Sequence, residues 1–566
     1  MIYKVADNIT SPLGVTTEQN YQAVMAGVSA LHSYPDHLGI QEPLTASLFS
    51  KEQKEQLSVS GLSWFESLAV CSVREALNHC GPDFSSGRTA FILSSTKGNV
   101  EMLMDGKKDE SIFLGASAKR IINELGIETT PMVVCNACIS GLSALVLALR
   151  LLEKGSYDYA IVCGCDCQGR FVISGFQSFK ALSELPCRPF DMDRTGLNLG
   201  EAAATMILSR MPTEECLWGI KKGCVRNDGY HISAPSKKGD GAYLALKSVI
   251  SDESIAKLAT INAHGTATMF NDQMESVAIE RAGLASVPVC GLKGYFGHTM
   301  GAAGILETIV TMRSLDAGVI PATKGFGELG VSGKISVSAE TSQTQKRDFV
   351  KMISGFGGCN AAIWCTHETE KQERQSKHRL KSIHHVTISS EEIVIDGCKM
   401  ETHECGKEIL TEIYKRDIGD YPKFYKMDML SRLGLVASEL LLRAERCTTS
   451  LSDESRAIIL FNRTSSIDTD KKYLESIVNP DDYYPSPALF VYTLPNIVTG
   501  EMAIRNGYHG ETSFYVLPHY DEETMNLIVE ASCLDKDTRS VITGWIDYPN
   551  EKDFIADLYL KVVEEP

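Results

Sequence analysis

The chain has 566 residues, 43% of them hydrophobic, which is ample for large buried cores and too long for one ordinary domain, so two or three structural units are expected. A formal charge of −17 argues against a nucleic-acid surface, because phosphate binding needs clustered Lys and Arg; an acidic partner would have to find a local basic patch. No apolar run reaches the length of a membrane span, and the opening MIYKVADNITSPLG has no signal-peptide pattern, so the cytoplasm is the expected location.

Strand-like and helix-like stretches alternate, the pattern of an α/β protein with buried sheets. Residues 133–134 form a short apolar strand that feeds a turn at Cys138. From 142 to 152 the chain is apolar on nearly every side, which predicts a buried helix, stopped at Gly155. Residues 160–162 supply another strand. Cys163, Cys165 and Cys167 invite a metal reading, but their alternate spacing fits a strand, and no metal is expected. The 17 cysteines have no regular spacing and read as reduced thiols rather than a disulfide framework. Residues 258–263 form a strand ending at His264, and 287–292 a strand running into Lys293 and the glycine-rich turn before His298. Ile305, Ile309, Met312 and Leu315 then recur at helical spacing up to Gly318, and a strand at 349–353 runs into Gly355-Phe356-Gly357-Gly358.

Between 366 and 384 the composition turns charged and loses apolar periodicity, which predicts a linker. The unit after it, 385–566, echoes the N-terminal part. Residues 424–427 leading into 433–442 echo 64–66 leading into 68–77, and 457–461 with the polar segment 462–465 echoes 90–93 with 94–97. A third correspondence matches 488–492, 499–501 and 512–516 to 133–134, the Cys138 turn and 159–162, so this unit reads as a diverged copy of the N-terminal half.

The chemistry gathers on three polar residues. A thiol at the N-terminus of a buried helix is favoured as thiolate by the helix dipole and unpaired N–H groups, which is the expectation for Cys138. Those N–H groups, with one from the Gly355–Gly358 turn, would hold the oxyanion of a tetrahedral intermediate. His264 and His298 lie in glycine-rich turns at equivalent points of repeated strand-and-turn units, where a doubly wound sheet places its ligands. Two neutral imidazoles suit an enolate left when a malonyl thioester loses CO2. Lys293 and Glu307 read as a buried ion pair that fixes the His298 turn.

The segments ITSPLGVTTEQNYQAVMAGVSAL, NACISG, CRPFDMDRTGLNLGEAAATMIL, HGTAT with Asn271, Asp272 and Glu275, KGYFGHTMGAAG and SGFGGCNA occur in order over residues 1–365. In them the chain resembles a β-ketoacyl-[acyl-carrier-protein] synthase of the thiolase superfamily. The resemblance implies a thiolase-like αβαβα layered fold of duplicated halves, here 1–210 and 211–365. It implies an acyltransferase in which Cys138 accepts the acyl chain while His264 and His298 promote decarboxylation of the extender. It makes Lys293 and Glu307 the supporting pair. Thr266 and Thr268 would hydrogen-bond the pantetheine arm, and Phe356 would gate the pocket and complete the oxyanion hole. No cofactor would be bound; the phosphopantetheine arm of an acyl carrier protein carries the substrate. That carrier is an acidic partner, and a homodimer, or a heterodimer with another ketosynthase-like chain, is expected. Ser354 stands where many members have an aromatic residue, which points to an altered pocket or gate, and Cys359 replaces the usual threonine.

The C-terminal unit has no HGT or GHT motif, and its expected counterpart of the Cys138 turn, Leu494-Pro495-Asn496-Ile497-Val498, has no cysteine. It reads as a catalytically dead half, packing on the synthase as a chain-length-factor partner does. Two rivals remain at this point: a Cys135–Cys138 redox pair, and a scaffold or chain-length partner that binds carrier protein without condensing. The pathway served is open among fatty-acid, polyketide and aryl-polyene synthesis.

Overall fold

The computed structural model describes residues 1–35, 40, 42–80, 84, 86–107, 109–212, 217–367, 379–448 and 454–564. One strand topology occurs in it three times. In the first copy the elements are β1 (Ile2–Thr10), α1 (Trp64–Asn78), β2 (Thr89–Ser94), α2 (Leu114–Leu125), β3 (Met132–Val134), α3 (Ser140–Lys154), β4 (Tyr159–Asp166) and β5 (Ala202–Ser209). The sheet order is β3-β2-β4-β5-β1, with the first three strands parallel and the last two added antiparallel. Every residue of β2 and β5 is buried, as expected of strands covered on both faces. Capping decides several helix ends: the Ser63 and Glu66 capping box opens α1, and Gly155, at φ +79°, closes α3 where the sequence placed the stop. All three cysteines 163, 165 and 167 fall in or just after β4, so strand packing accounts for their spacing.

The second copy comprises β6 (Gly219–Asn227), α4 (Asp240–Val249), β7 (Leu258–Asn262), α5 (Met269–Arg281), β8 (Pro288–Cys290), α6 (Ala303–Asp316), β9 (Asp348–Gly355) and β10 (Cys359–Thr366), in the order β8-β7-β9-β10-β6. Helices α3 and α6 lie between the two sheets, packed on strands of both, while α1 and α2 cover one outer face and α4 and α5 the other. These are the αβαβα layers. Because α3 has a sheet on each side, it is buried from Ser140 to Leu152, which explains its lack of a polar face.

The third copy comprises β11 (Arg379–Ser389), α7 (Met429–Thr448), β12 (Ala457–Asn462), α8 (Ile497–Asn506), β13 (Thr512–Val516), α9 (Glu522–Ser532), β14 (Ser540–Asn550) and β15 (Asp553–Glu564). Its order, β13-β12-β14-β15-β11, repeats the first copy strand for strand. Strand β13 pairs antiparallel with β3, Tyr515 opposite Val134 and Val516 opposite Val133, so the two sheets become one. Around that seam α9 packs on α3, Arg150 pairs with Glu511 at 2.5 Å, and Arg226 with Asp535 at 2.6 Å.

Two expectations change. Residues 379–384 of the expected linker are the start of β11; 368–378 lie outside the described residues. The third correspondence is out of register. Residues Pro487–Tyr492 are a helix, opened by Ser486, whose side chain accepts from the Leu489 N–H, since a short apolar run does not by itself distinguish strand from buried helix. Strand β13 is the partner of β3 rather than of β4, because each flanks the parallel strand that leads its sheet. The counterpart of the Cys138 turn is therefore Leu517-Pro518-His519-Tyr520 ahead of α9, and residues 494–498 open α8, the counterpart of α2. The new assignment also lacks a cysteine. The first two correspondences hold: α7 matches α1 and β12 matches β2. Among the described residues no helix is long and apolar enough to cross a membrane.

Candidate active site

Strand β3 delivers the chain to a single 3-10 turn, Ala137–Ile139, from which α3 departs. Ala137 sits at φ +47°, a left-handed conformation costly for a residue with a side chain, and this sharp turn presents the Cys138 thiol to a cavity. His264 follows β7, and its backbone N–H and that of Gly265 each donate to Glu275 of α5 at 2.7 Å. His298 is set by Asn198, whose carbonyl accepts its N–H at 2.7 Å, and by Asp166, which accepts from the Gly301 N–H at 2.7 Å. The three residues converge: a thiol sulfur and one nitrogen from each ring lie within 4.8 Å of one another, and the rings meet edge to face at 5.0 Å.

Both imidazoles are neutral. His264 and His298 are 2% and 1% exposed, and burial, reinforced by the Lys293 ammonium, holds both well below the usual histidine range. His298 Nδ1 accepts the Met300 N–H at 3.3 Å, which leaves the ring proton on Nε2, a buried atom without a partner among the described residues. A metal ligand must offer a lone pair there, whereas this ring offers a hydrogen. The trio has metal-ligand spacing but is built as a thiol facing a donor to an oxygen.

The thiol does not match expectation. Burial pushes the Cys138 thiol up to about 12; Lys293 pulls the other way without winning. Desolvation thus outweighs the helix terminus, and Cys138 rests protonated. Gly355 lies against it, since a Cβ there would come within 3.3 Å of the Cys138 nitrogen, and Phe356 follows on the cavity wall.

Lys293 donates to Glu307 at 2.7 Å, as expected. The sequence reading missed Lys351 of β9, which meets the other Glu307 oxygen at 2.6 Å and donates to the Ala263 carbonyl, one residue before His264, at 3.0 Å. Its signal was a lone charge in the apolar strand FVKMIS. Burial works against the Glu307 carboxylate, yet the two ammonium groups outweigh it and hold its carboxyl below the usual range. One carboxylate thereby ties both histidine turns together. Also missed were Asp166, which braces the His298 turn, and Asn496, which reaches in from the C-terminal unit.

The cavity, about 300 Å³, runs from Cys138, His264 and His298 past Thr266 and Thr268, whose hydroxyls bond each other at 2.9 Å, to a mouth at Phe270 and His231. Phe176, Phe179, Leu197 and Phe356 make an apolar inner wall, with the Phe179 and Phe356 rings 5.4 Å apart. Ser354 donates to Asn360 at 2.6 Å, so the aromatic residue absent from this position is replaced by a polar contact. Cys135 is fully buried, with burial driving its thiol upward, a poor setting for dithiol exchange.

Family models decide the lineage. Residues 5–213 match the β-ketoacyl synthase N-terminal domain and 219–327 its C-terminal domain. The chain belongs to the β-ketoacyl synthase family. It is 26% identical over 408 residues to a putative mitochondrial 3-oxoacyl-[acyl-carrier-protein] synthase of Schizosaccharomyces pombe, covering 62% of this chain and 96% of that protein. It is also 26% identical over 406 residues to 3-oxoacyl-[acyl-carrier-protein] synthase 2 of Vibrio cholerae, covering 62% and 95%. The 62% of this chain matched to each of those synthases is about the length of the first two copies of the topology. A solved PfaC ketosynthase–chain length factor superposes on 99% of this chain and 78% of its own, with a TM-score of 0.77 at 15% identity. The third copy is thus part of a known architecture.

Proposed function

We propose that residues 1–365 perform the decarboxylative condensation of an acyl group with a malonyl thioester, both delivered on the phosphopantetheine arm of an acyl carrier protein, and that residues 385–566 are a non-catalytic partner half carried on the same chain. The observation that carries this reading is the meeting of one thiol with two neutral imidazoles, one of them locked as an Nε2–H donor. In the first half-reaction the Cys138 sulfur attacks the thioester carbon, and the N–H groups of Cys138 and Phe356 receive the oxyanion. Collapse breaks the carbon–sulfur bond to pantetheine, whose sulfur leaves with the proton that Cys138 gave up. In the second, the malonyl thioester loses CO2, and the electron pair left behind is held as an enolate whose oxygen accepts from His264 and His298. That carbon attacks the acyl-Cys138 carbonyl, forming the new carbon–carbon bond and releasing the sulfur. Thr266 and Thr268 line the path of the pantetheine arm.

Residues 385–566 have no thiol at Leu517–Tyr520 and no HGT or GHT motif, so they contribute shape rather than chemistry. The fifteen described cysteines are all free thiols, nine of them buried, which suits a reducing compartment such as the cytoplasm. Mass spectrometry after incubation with a panel of acyl-carrier thioesters tests the reading. The native chain gains the acyl mass on the peptide holding Cys138, and Cys138→Ala does not; unchanged condensation product from Cys138→Ala would refute it.

A further inference from the structure

Asn496 stands where an asparagine normally caps a helix, immediately before α8, yet it makes no cap: no N–H of α8 is received by its side chain. Instead its Nδ2 donates across the seam to the Phe356 carbonyl at 2.8 Å. The residue is 2% exposed, and its Oδ1 is buried with no partner among the described residues, so the amide has given up a local acceptor role for long-range donation, to that carbonyl and to Cys359 Sγ at 3.8 Å; the Cys359 thiol in turn donates to the same carbonyl at 3.2 Å. Phe356 is the residue whose N–H the proposed acyl transfer uses. Fixing its carbonyl fixes its ψ, while Gly355, pressed on the Cys138 nitrogen, fixes the other side.

The rest of the turn is held from both sides, since within the synthase half the Ile232 carbonyl accepts the Gly357 N–H at 2.6 Å and the Asp228 N–H donates to the Gly358 carbonyl at 2.7 Å. Gly357 and Gly358 have φ of +90° and +70°, so this backbone is intrinsically free. Against it lies Gly500 of α8, where a Cβ would come within 2.6 Å of the Gly357 oxygen. Asn227 donates to that same oxygen at 2.9 Å and to Thr512 of β13 at 2.9 Å. The turn that completes the oxyanion hole is therefore clamped between residues of the synthase half and α8, an element of the unit without chemistry, which meets it at Asn496 and Gly500.

We infer that Asn496 is a positioning residue for acyl transfer: through its amide, with Gly500 packed beside it, the C-terminal half helps set the oxyanion hole of the synthase half. The inference rests on the reading of function above. It separates the half-reactions, because decarboxylation uses His264 and His298 and not the Phe356 N–H.

The test uses the full chain and three variants. Asn496→Asp keeps the shape but replaces the donor, Asn496→Ala removes it, and Gly500→Ala, favourable for a helix, pushes on Gly357. Transfer from hexanoyl N-acetylcysteamine to Cys138 is followed by mass spectrometry, alongside iodoacetamide alkylation of Cys138 and CO2 release from malonyl N-acetylcysteamine. Acyl transfer should fall by about 10²-fold in all three, the scale of losing or misplacing one oxyanion donor. Alkylation and CO2 release should stay within about twofold, since a donor used only in one transition state affects only that step. Asn496→Asp acylating at the native rate would overturn the inference, as would all three readouts falling together, the sign of a merely structural role. A native chain that never acylates at Cys138 would instead overturn the functional reading, and the inference with it.

Discussion

Glu307→Gln should be far more damaging than Lys293→Met, although both break the same ion pair. In the native chain one carboxylate faces two ammonium groups, at 2.7 and 2.6 Å, all of them buried. Removing Lys293 leaves a neutral pair, Lys351 with Glu307. Removing the carboxylate leaves two buried cations facing an amide, a loss on the order of 3–5 kcal/mol for an uncompensated buried charge. Burial already holds the Lys351 ammonium below its ordinary value against the pull of Glu307, so shedding that proton is the escape that caps the cost. With an unfolding entropy of about 2 cal/mol/K per residue over the synthase halves, the penalty lowers the melting midpoint by about 4–7 °C. Lys293→Met should move it by less than about half as much. Differential scanning fluorimetry of the two variants reads this directly. A Glu307→Gln chain melting with the native protein, or below it by no more than Lys293→Met does, would refute the bridging role of this carboxylate.

Three further outcomes follow from the same geometry. Arg150→Met leaves Glu511 buried without its 2.5 Å partner; after proteolytic cleavage within 368–378 the halves should separate on gel filtration, where the cleaved native chain stays whole, given a cost of about 3–5 kcal/mol at the seam. Phe490 packs on Phe176, centroids 5.5 Å apart, and on the Cα of Gly175 behind the inner wall; Phe490→Ala should destabilise by about 3–5 kcal/mol and let Cys138 retain longer acyl groups, read by mass spectrometry. The folded imidazoles of His264 and His298 bind protons more weakly than the unfolded ones, so stability is full above the unfolded value of 6.5 and is lost as pH falls below it toward their depressed folded values. Decarboxylation should therefore keep its rate through pH 6.5, and Lys293→Met should raise the acid limb by removing a positive charge near both rings; an acid limb that stays put or falls would contradict the electrostatic assignment.

The site was legible because its parts are local. Cys138 and His264 each follow a strand and His298 sits in the glycine-rich turn after the short helix Lys293–Phe296, all beside small residues, a pattern visible in a short window, and the structure brings all three to one point. What escaped was non-local. Lys351 acts through an oxygen of a residue 44 positions away, and Asn496 through a carbonyl 140 positions away, separations at which sequence carries no periodic signal. The thiolate expectation failed for a related reason: the helix terminus is visible in sequence, whereas the burial that outweighs it comes from packing elements contributed by distant segments. In the C-terminal half, the strands were recognisable as apolar runs, but only pairing revealed that 512–516 flanks 457–462 as β3 flanks β2.

That pairing explains why a half without chemistry keeps its sheet. A synthase unit alone would end at β3, a short strand with a bare edge leading directly into the Cys138 turn, and exposed edges seek partners. Strand β13 fills that edge, the Phe514 N–H donates to the Asn136 side chain at 2.7 Å two residues before Cys138, and α8 underlies the Phe356 turn. None of these contacts needs a nucleophile or a catalytic histidine in residues 385–566. Constraint should therefore concentrate on 494–516, where the unit touches the reacting residues, and relax over the outer face of β11 and β15. Charged substitutions at Phe514 should cost acyl transfer, whereas the exposed Ile555 should accept them with less than about 0.5 kcal/mol lost.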